Sequence, residues 1–237
     1  MRIDKLLSDM GIASRREIKD SAKRGGVLVD GVPCRDVSAH IDPERVTVSY
    51  LGRIIEYKPY VYVMLNKPEG YVSATEDSHL PVVTELLSEE LRKRGLFPVG
   101  RLDRDTTGLM ILTDNGKLSH ALLSPRGHVK KVYSFSSADP MREGAEEEFR
   151  DGVTLADGYE CKSAEITLDA ERTSGLITLT EGKYHQIKRM VASTGNKVTR
   201  LERISFGGVE LDTSLPRGTW RYLTEGEIKT LTDALGV

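Results

Sequence analysis

The sequence of 237 residues predicts an α+β protein in two parts: a small N-terminal α+β module and a larger mixed, largely antiparallel α+β domain. Two helical patterns followed by a hairpin signal indicate the module. Short apolar runs that alternate with fewer helical stretches indicate the larger domain. A linker that contains Gly52, Lys58 and Pro59 separates the two, so we predict domains at residues 1–58 and 59–237.

The N-terminal module begins with two predicted helices. Apolar residues recur at helical spacing at Ile3, Leu6, Leu7 and Met10. Gly11 ends this helix, and Ser14 with Glu17 three residues later forms a capping-box pattern that begins the second helix. A DG dipeptide at residues 30–31, between two valine-rich runs, predicts a two-residue hairpin, and residues 46–48 predict a further short strand.

The larger domain is predicted from its alternating apolar and helical stretches. Apolar runs predict strands at residues 61–65, 109–112, 132–135, 166–168 and 176–179. Helical patterns predict helices near residues 82–94, 117–123, 142–150 and 184–194. The sequence has no glycine-rich phosphate loop, so we expect no nucleotide cofactor.

The segment at residues 100–109 reads GRLDRDTTGL and places a carboxylate, Asp103, between Arg101 and Arg104. It precedes a buried strand, so we expect Asp103 on a loop, where reactive groups are common. The two arginines favour the ionised form of Asp103, which can act as a nucleophile or a base. An alternative interpretation is a structural ion pair between Arg101 and Asp103.

The same segment resembles the signature of the pseudouridine synthases that act on ribosomal RNA. Three further blocks occur in the matching order, and together the four span most of residues 60–210. They read LNKPEG at 65–70, KKVY at 130–133 and EGKYHQIKRM at 181–190. The resemblance implies a pseudouridine synthase domain that isomerises uridine to pseudouridine after the base is extruded from the RNA, without a cofactor.

The resemblance also implies roles for individual residues. Asp103 is implied as the catalytic carboxylate acting at the sugar, and Lys188 as the basic residue that pairs with it. Tyr133 is implied to stack on the target uracil and assist proton movement, and Arg101 to enter the RNA stack where the base has left. By pattern alone, a surface lysine on an amphipathic helix is the favoured interpretation of Lys188, and a core tyrosine that of Tyr133.

The N-terminal module resembles the alpha-L RNA-binding module shared with ribosomal protein S4. The resemblance rests on residues 2–7, 13–17 and 26–31, which read RIDKLL, ASRRE and GVLVDG. Basic residues outnumber acidic ones in the helix pair, although a solvated surface with ion pairs would show the same pattern. The candidate phosphate contacts are Arg2, Lys5, Arg15, Arg16 and Lys23.

The expected substrate is a single uridine of 16S ribosomal RNA, free or in a small-subunit assembly particle. The DTT sequence at 105–107 and Lys188 resemble the small-subunit branch of the family. A uridine of 23S ribosomal RNA is an alternative target. Two other function classes stay open: a metal-dependent hydrolase or nuclease in which Asp103 and Asp105 share a cation, and a non-enzymatic ribosome-assembly factor.

Composition sets further expectations. The formal net charge is −2, so RNA contacts must come from local basic patches, such as Arg126, His128, Lys130 and Lys131. Two cysteines, Cys34 and Cys161, are too few for a disulfide framework, and no metal-ligand spacing is present. No apolar run approaches the roughly 18 residues of a membrane span, and no signal peptide is apparent. We therefore expect a soluble, cytoplasmic monomer without a metal.

Overall fold

The structure is a computed structural model that describes residues 1–125 and 127–235. It divides into two compact units. The first comprises Met1–Val61 and Leu87–Leu96, and the second comprises Tyr62–Leu86 and Phe97–Val237. Arg126 of the predicted basic segment and the last two residues of the predicted larger domain lie outside the described residues. The domain boundary at residue 58 stays a prediction.

The first unit packs three helices with a small antiparallel sheet of strand order β2-β1-β3-β4. Its helices are α1 (Ile3–Asp9), α2 (Arg15–Lys23) and α3 (Glu89–Arg94). Its strands are β1 (Val27–Val29), β2 (Val32–Pro33), β3 (Val48–Tyr50) and β4 (Arg53–Ile55). The predicted apolar face of α1 is confirmed, since its core includes Ile3, Leu6, Leu7 and Met10.

Two local signals in the first unit are confirmed in detail. Ser14 and Glu17 form the reciprocal capping box at the start of α2. Asp30 and Gly31 have φ angles of 48° and 79°, as a two-residue hairpin of type I′ requires. The strand predicted at 46–48 was placed too early, because Val46 is still hydrogen-bonded within a turn begun by Asp42.

The second unit is built on a nine-stranded sheet whose main path has the order β13-β5-β7-β11-β8-β10-β9. β6 pairs with β7, and β12 pairs with β11. All pairings are antiparallel except that of β7 with β11. The strands are β5 (Tyr62–Lys67), β6 (Phe97–Pro98), β7 (Thr107–Thr113), β8 (Lys131–Ser137), β9 (Glu165–Leu168), β10 (Ser174–Leu179), β11 (Val198–Phe206), β12 (Val209–Glu210) and β13 (Trp220–Tyr222).

The helices of the second unit are α4 (Gly116–Leu123), α5 (Ala145–Asp151), α6 (Gln186–Ser193) and α7 (Glu225–Asp233). The first three confirm predicted helices. The single helix predicted at 82–94 is wrong: a 3-10 turn at Val83–Leu86 is separated from α3 by Ser88, whose side chain caps α3. None of the described helices is long and apolar enough to cross a membrane.

One long strand of the sheet, β11, lacks a clear signal in the sequence. It reads VTRLERISF, and its charged residues obscure the apolar alternation that identifies a strand. β11 nevertheless lies between β7 and β8. Gly108 of β7 allows β11 to approach closely, because a Cβ at this position would lie 2.3 Å from the carbonyl oxygen of Arg203 in β11. The segment that contains Asp103 therefore runs directly into the middle of the sheet.

Candidate active site

Asp103 lies on a loop between β6 and β7 whose main chain is held by a buried lysine. Lys67, at the end of β5, is fully buried. Its Nζ lies 2.8–3.2 Å from the carbonyl oxygens of Pro68, Asp103, Arg104 and Thr106. Burial lowers the pKa of Lys67 to about 8. Because an ammonium group satisfies three acceptors at a time, Lys67 fixes the course of the Asp103 loop.

Residues 70–73 hold the same loop from the other side. The Ser73 hydroxyl donates to the carbonyl of Leu102 at 2.7 Å and accepts from the amide of Leu102 at 2.9 Å. Gly70 donates from its amide to the carbonyl of Arg104 at 2.9 Å, and Arg104 Nε donates to the carbonyl of Gly70 at 3.2 Å. The backbone on both sides of Asp103 is therefore fixed.

The side chain of Asp103 forms an ion pair with Lys188 of α6. Lys188 Nζ lies 3.0 Å from Asp103 Oδ2 and 2.5 Å from Asp105 Oδ1. Burial opposes the charge on Lys188, but hydrogen bonds to Asp105 and Asp103 outweigh it and raise the pKa of Lys188. Partial burial likewise opposes the ionisation of Asp105, yet the bond to Lys188 leaves the pKa of Asp105 lowered. One lysine thus serves two carboxylates.

His185 is a second neighbour of Asp103, to which the sequence analysis assigned no chemistry. Its Nε2 lies 3.5 Å from Asp103 Oδ1. His185 has a left-handed backbone, with φ of 50°, and its ring stacks on Tyr184 at 3.8 Å between centroids. This backbone conformation turns the chain into α6 and leaves His185 beside the carboxylate. The signal that could have found it is its place directly before Gln186, three residues ahead of Lys188 in the same sequence block.

The two arginines that flank Asp103 do not neutralise it. Arg104 is directed to the Gly70 carbonyl, and Arg101 is exposed. Within residues 1–125 and 127–235, neither forms an ion pair with Asp103. The structural ion pair between Arg101 and Asp103 that the sequence allowed is therefore absent, and the counter-charge comes from a residue 85 positions away.

Asp103 borders a cavity of about 770 Å³ in the second unit. Such a volume is typical of sites for small organic ligands. Tyr133 of β8 is buried at 8% exposure and lines this cavity. The cavity brings together several polar side chains, including Arg101, Asp103, Lys131, Tyr133, His185 and Arg203.

The predicted basic segment before Tyr133 is divided by the fold. His128 and Lys130 are exposed, whereas Lys131 is half-buried and lines the cavity. Lys131 is therefore separated from the exposed residues of this segment. Lys131 is the first residue of β8, where side chains alternate between the two faces of the sheet.

The described residues contain no group of three or more His, Cys, Asp or Glu side chains that could hold a metal ion. Asp103 and Asp105, the pair considered for a shared cation, are already joined by the Lys188 ammonium. The donor set therefore does not favour the metal-dependent alternative.

The five candidate phosphate contacts in the first unit are all exposed. Three are paired with carboxylates: Arg2 with Asp4, Lys5 with Asp9 and Lys23 with Asp20. Arg15 and Arg16, at the start of α2, form no ion pair within the described ranges. These two are consequently the most available cations of the set.

Two known protein families match parts of the chain. The family described as RNA pseudouridylate synthase matches residues 61–193, and the S4 domain matches residues 1–48. A solved structure described as the crystal structure of a pseudouridylate synthase is 33% identical, with a TM-score of 0.69. The alignment covers 98% of this chain and 99% of that one.

Curated relatives match over nearly the whole length. An uncharacterized RNA pseudouridine synthase, YtzG of Bacillus subtilis, is 42% identical over 98% of this chain and 99% of the relative. Ribosomal small subunit pseudouridine synthase A of Vibrio vulnificus is 40% identical over 98% of this chain and 99% of the relative. The protein of the same name from Escherichia coli is 37% identical over 98% and 100%.

Proposed function

The chain belongs to the RNA pseudouridylate synthase family, and we propose that it converts a single uridine of 16S ribosomal RNA to pseudouridine. The observation that carries the chemistry is the Asp103 carboxylate, fixed on its loop and ion-paired to Lys188 at 3.0 Å beside the cavity. The choice of target is supported by relatives named small-subunit synthases at 37–40% identity.

The reaction exchanges one glycosidic bond for another. The N1–C1′ bond of uridine breaks, the uracil turns, and a C5–C1′ bond forms, so that no atom is added or lost overall. The uridine must first leave its stack and enter the cavity, at a cost of a few kcal/mol that is smallest in loops and distorted RNA. Structured ribosomal RNA offers such sites.

Asp103 acts at the sugar in this proposal. It attacks C1′ as a nucleophile, or it removes the C2′ proton as a base to form a glycal. Lys188 supplies the counter-charge to this carboxylate at 3.0 Å. Because an ammonium lacks the planar fork of a guanidinium, it orients a carboxylate less rigidly. Asp105 compensates by holding the same ammonium from a second side at 2.5 Å.

The remaining assignments concern the RNA. Tyr133 stacks on the extruded uracil and assists proton movement, and the exposed Arg101 fills the place that the base has left. In the N-terminal module, Arg2, Lys5, Arg15, Arg16 and Lys23 contact phosphates, which supplies affinity and salt dependence rather than sequence choice. We also propose that a cytoplasmic monomer carries out the reaction, since one chain contains the RNA-binding module and the catalytic carboxylate.

The target is tested by tritium release from RNA labelled at uridine C5. Small-subunit RNA, its assembly particles and large-subunit RNA are compared, with Asp103→Ala as the blank and Asp151→Asn, on the exposed side of α5, as a control. We expect Asp103-dependent release from the small-subunit substrates only, in the presence of chelator. Release from large-subunit RNA alone would move the target to 23S RNA. RNA binding without release from any substrate would favour an assembly factor.

A further inference from the structure

The cavity beside Asp103 contains a buried arginine with an unused donor. Arg203, on β11, is 2% exposed. Its Nε donates to the carbonyl of Leu109 at 2.8 Å, but its Nη2 is buried without any hydrogen-bond partner among the described residues. A buried charged donor without an acceptor is costly, and such groups are rare in folded proteins. Arg203 therefore calls for an acceptor that the chain does not supply.

A second cation lies close to Arg203. Lys131 Nζ is 5.7 Å from the centroid of the Phe206 ring, and Arg203 Cζ is 5.0 Å from the same centroid. Among the residues that the structure describes, Lys131 Nζ donates only to the carbonyl of Val129, at 3.1 Å. Burial, and then the charge of Arg203, lower the pKa of Lys131 to about 8. Two positive charges thus lie beside the same aromatic ring, where Arg203 is buried and Lys131 is half-buried.

No carboxylate forms a direct ion pair with Lys131 or Arg203 within the described residues. Glu181 is the nearby acid that acts on Lys131, but its oxygens already have partners. Oε1 accepts from the amide of Lys162 at 2.9 Å and from Gln186 Nε2 at 2.6 Å, and Oε2 accepts from the Tyr159 hydroxyl at 2.9 Å. These partners are neutral, so Glu181 keeps its charge, but one carboxylate faces two cations. Lys131 and Arg203 therefore carry positive charge that is left for a ligand.

The strand register directs both cations to one side of the sheet. Arg203 is paired directly with Tyr133 across β11 and β8, and directly paired residues project to the same face. Lys131 lies two residues before Tyr133 on β8 and shares that face. A β-bulge between Arg203 and Ser205 then brings Phe206 opposite Lys131. Bulges of this kind commonly redirect side chains beside active sites.

We propose that Lys131 and Arg203 form a subsite for the uracil ring, in which they bind its carbonyl oxygens and the negative charge that it acquires during the reaction. This inference rests on the function proposed above. Both cations line the cavity that Asp103 and Tyr133 also line. Uracil offers two carbonyl acceptors, whereas cytosine has an amino donor in place of O4, so a donor-only subsite also selects for uracil.

The charge arises when the glycosidic bond breaks. The electron pair of the N1–C1′ bond remains on the uracil and spreads over N1, O2 and O4. At the sugar, either an Asp103 oxygen bonds to C1′, or the C2′ proton moves to Asp103. When C5 then bonds to C1′, the bond between Asp103 and C1′ breaks, or the proton on Asp103 returns to C2′. The C5 proton is lost and N1 takes up a proton, so the overall change is an isomerisation. Fixed cations that meet a developing anion lower the barrier of such a step.

Binding of the free base tests the subsite without any RNA. The probe is 5-fluorouracil, observed by fluorine NMR in neutral buffer, where Lys131 is charged, with 5-fluorocytosine as the comparison. The variants are Lys131→Met, Lys131→Arg and Lys130→Met, the last altering an exposed neighbour on the same segment. We expect the wild type, Lys131→Arg and Lys130→Met to shift the 5-fluorouracil signal, Lys131→Met to lose the shift, and 5-fluorocytosine to stay unshifted. A wild type that leaves 5-fluorouracil unshifted, or equal shifts with Lys131→Met, would overturn the proposal.

Single-turnover rates on RNA provide the second measurement. We expect Lys131→Met to slow the conversion about a hundredfold, the usual effect of removing one donor to a developing anion, with RNA affinity within about twofold of the wild type. We expect Lys131→Met to slow the disappearance of 5-fluorouridine from substituted RNA less than it slows the conversion of uridine. The reason is that fluorine already stabilises the departing base. An unchanged uridine rate in Lys131→Met would contradict the subsite. A wild type inactive on small-subunit RNA would instead contradict the target, and the free-base measurement would still decide on the subsite.

Discussion

The two sides of the cavity differ in how their charges are balanced. On one side, Asp103 and Asp105 share Lys188, and Lys67 is surrounded by carbonyl oxygens. On the other, Lys131 and Arg203 lie near one another with no carboxylate partner in the described chain. The balanced side is preorganised before substrate arrives. The unbalanced side is complete only when a group with negative charge or carbonyl oxygens enters.

The largest effect is expected from breaking the balanced side at its centre. Asp103→Asn keeps the size of the side chain but removes the charge and the nucleophilic or basic oxygen. We expect turnover to fall by at least about a thousandfold, as for other residues whose removal eliminates the chemical step. Affinity for RNA should be nearly unchanged. Single-turnover kinetics and filter binding measure the two quantities, and substantial activity in this variant would remove Asp103 from the mechanism.

The next effect concerns stability rather than chemistry. Lys67→Met leaves the carbonyls of Asp103, Arg104 and Thr106 without their buried donor. We expect the free energy of unfolding to fall by about 3 kcal/mol, the usual range for buried polar groups that lose their partner. Urea denaturation measures the change.

Lys131→Met is the matched control for Lys67→Met, because both replace a lysine with a depressed pKa of about 8. The proposed role of Lys131 predicts little loss of stability, since the only described hydrogen bond of its side chain is to the carbonyl of Val129. Equal destabilisation by the two substitutions would contradict the difference in role between Lys67, which stabilises the fold, and Lys131, which is proposed to bind the substrate.

A pH series sharpens the same distinction. The pKa of Lys131 is lowered from the ordinary lysine value of 10.5 to about 8 in the folded protein, because burial and the charge of Arg203 outweigh the attraction of Glu181. Between these values the unfolded chain binds more protons, so the contribution of Lys131 to the free energy of unfolding rises with pH. Activity should change in the opposite direction and fall above pH 8, as the lysine loses its charge.

The difference between wild type and variants isolates this group from other titrations. The unfolding free energy of the wild type minus that of Lys131→Met should rise from pH 8 to about 10. Lys131→Arg, which stays charged, should retain activity to higher pH than the wild type. Identical pH profiles for the wild type and Lys131→Arg would show that Lys131 does not control the alkaline limb.

The smallest effect is expected in the first unit, where paired and unpaired cations also occur together. Arg15→Ala removes a cation without a described ion pair, whereas Lys5→Ala removes one that is held by Asp9 at 2.7 Å. We expect Arg15→Ala to weaken RNA binding a few-fold and to reduce the slope of log K against log salt by about 1. Lys5→Ala should have the smaller effect on both, and the reverse order would contradict the comparison.

Much of the local structure could be predicted because its causes lie within a few residues. The capping box of Ser14 and Glu17, the hairpin at Asp30 and Gly31, and the buried strand after the Asp103 loop all follow from short-range chemistry. The prediction of a single helix at 82–94 was wrong for an equally local reason. The Ser88 side chain accepts a hydrogen bond from the backbone and begins α3 as a separate helix.

The candidate site was predictable only in part. The position of Asp103 on a loop and the contact between Lys188 and Asp103 agree with what the sequence motifs implied. His185, the clamp formed by Lys67 and the inward turn of Lys131 did not follow from the pattern, because each depends on partners that the linear sequence does not identify. The roles of these residues stay proposals that the variants above test.

By itself, the sequence determined the family motifs, the α+β class and the elements with strong local signals, because capping, turn chemistry and short apolar runs act over neighbouring residues. Tertiary structure alone decided that the charged strand β11 lies between β7 and β8, close to Gly108, and that the pairing of Arg203 with Tyr133 puts both residues on one face of the sheet. The physical reason is that strand pairing joins distant residues, so the burial of a charge such as Arg203 is a property of the assembled sheet.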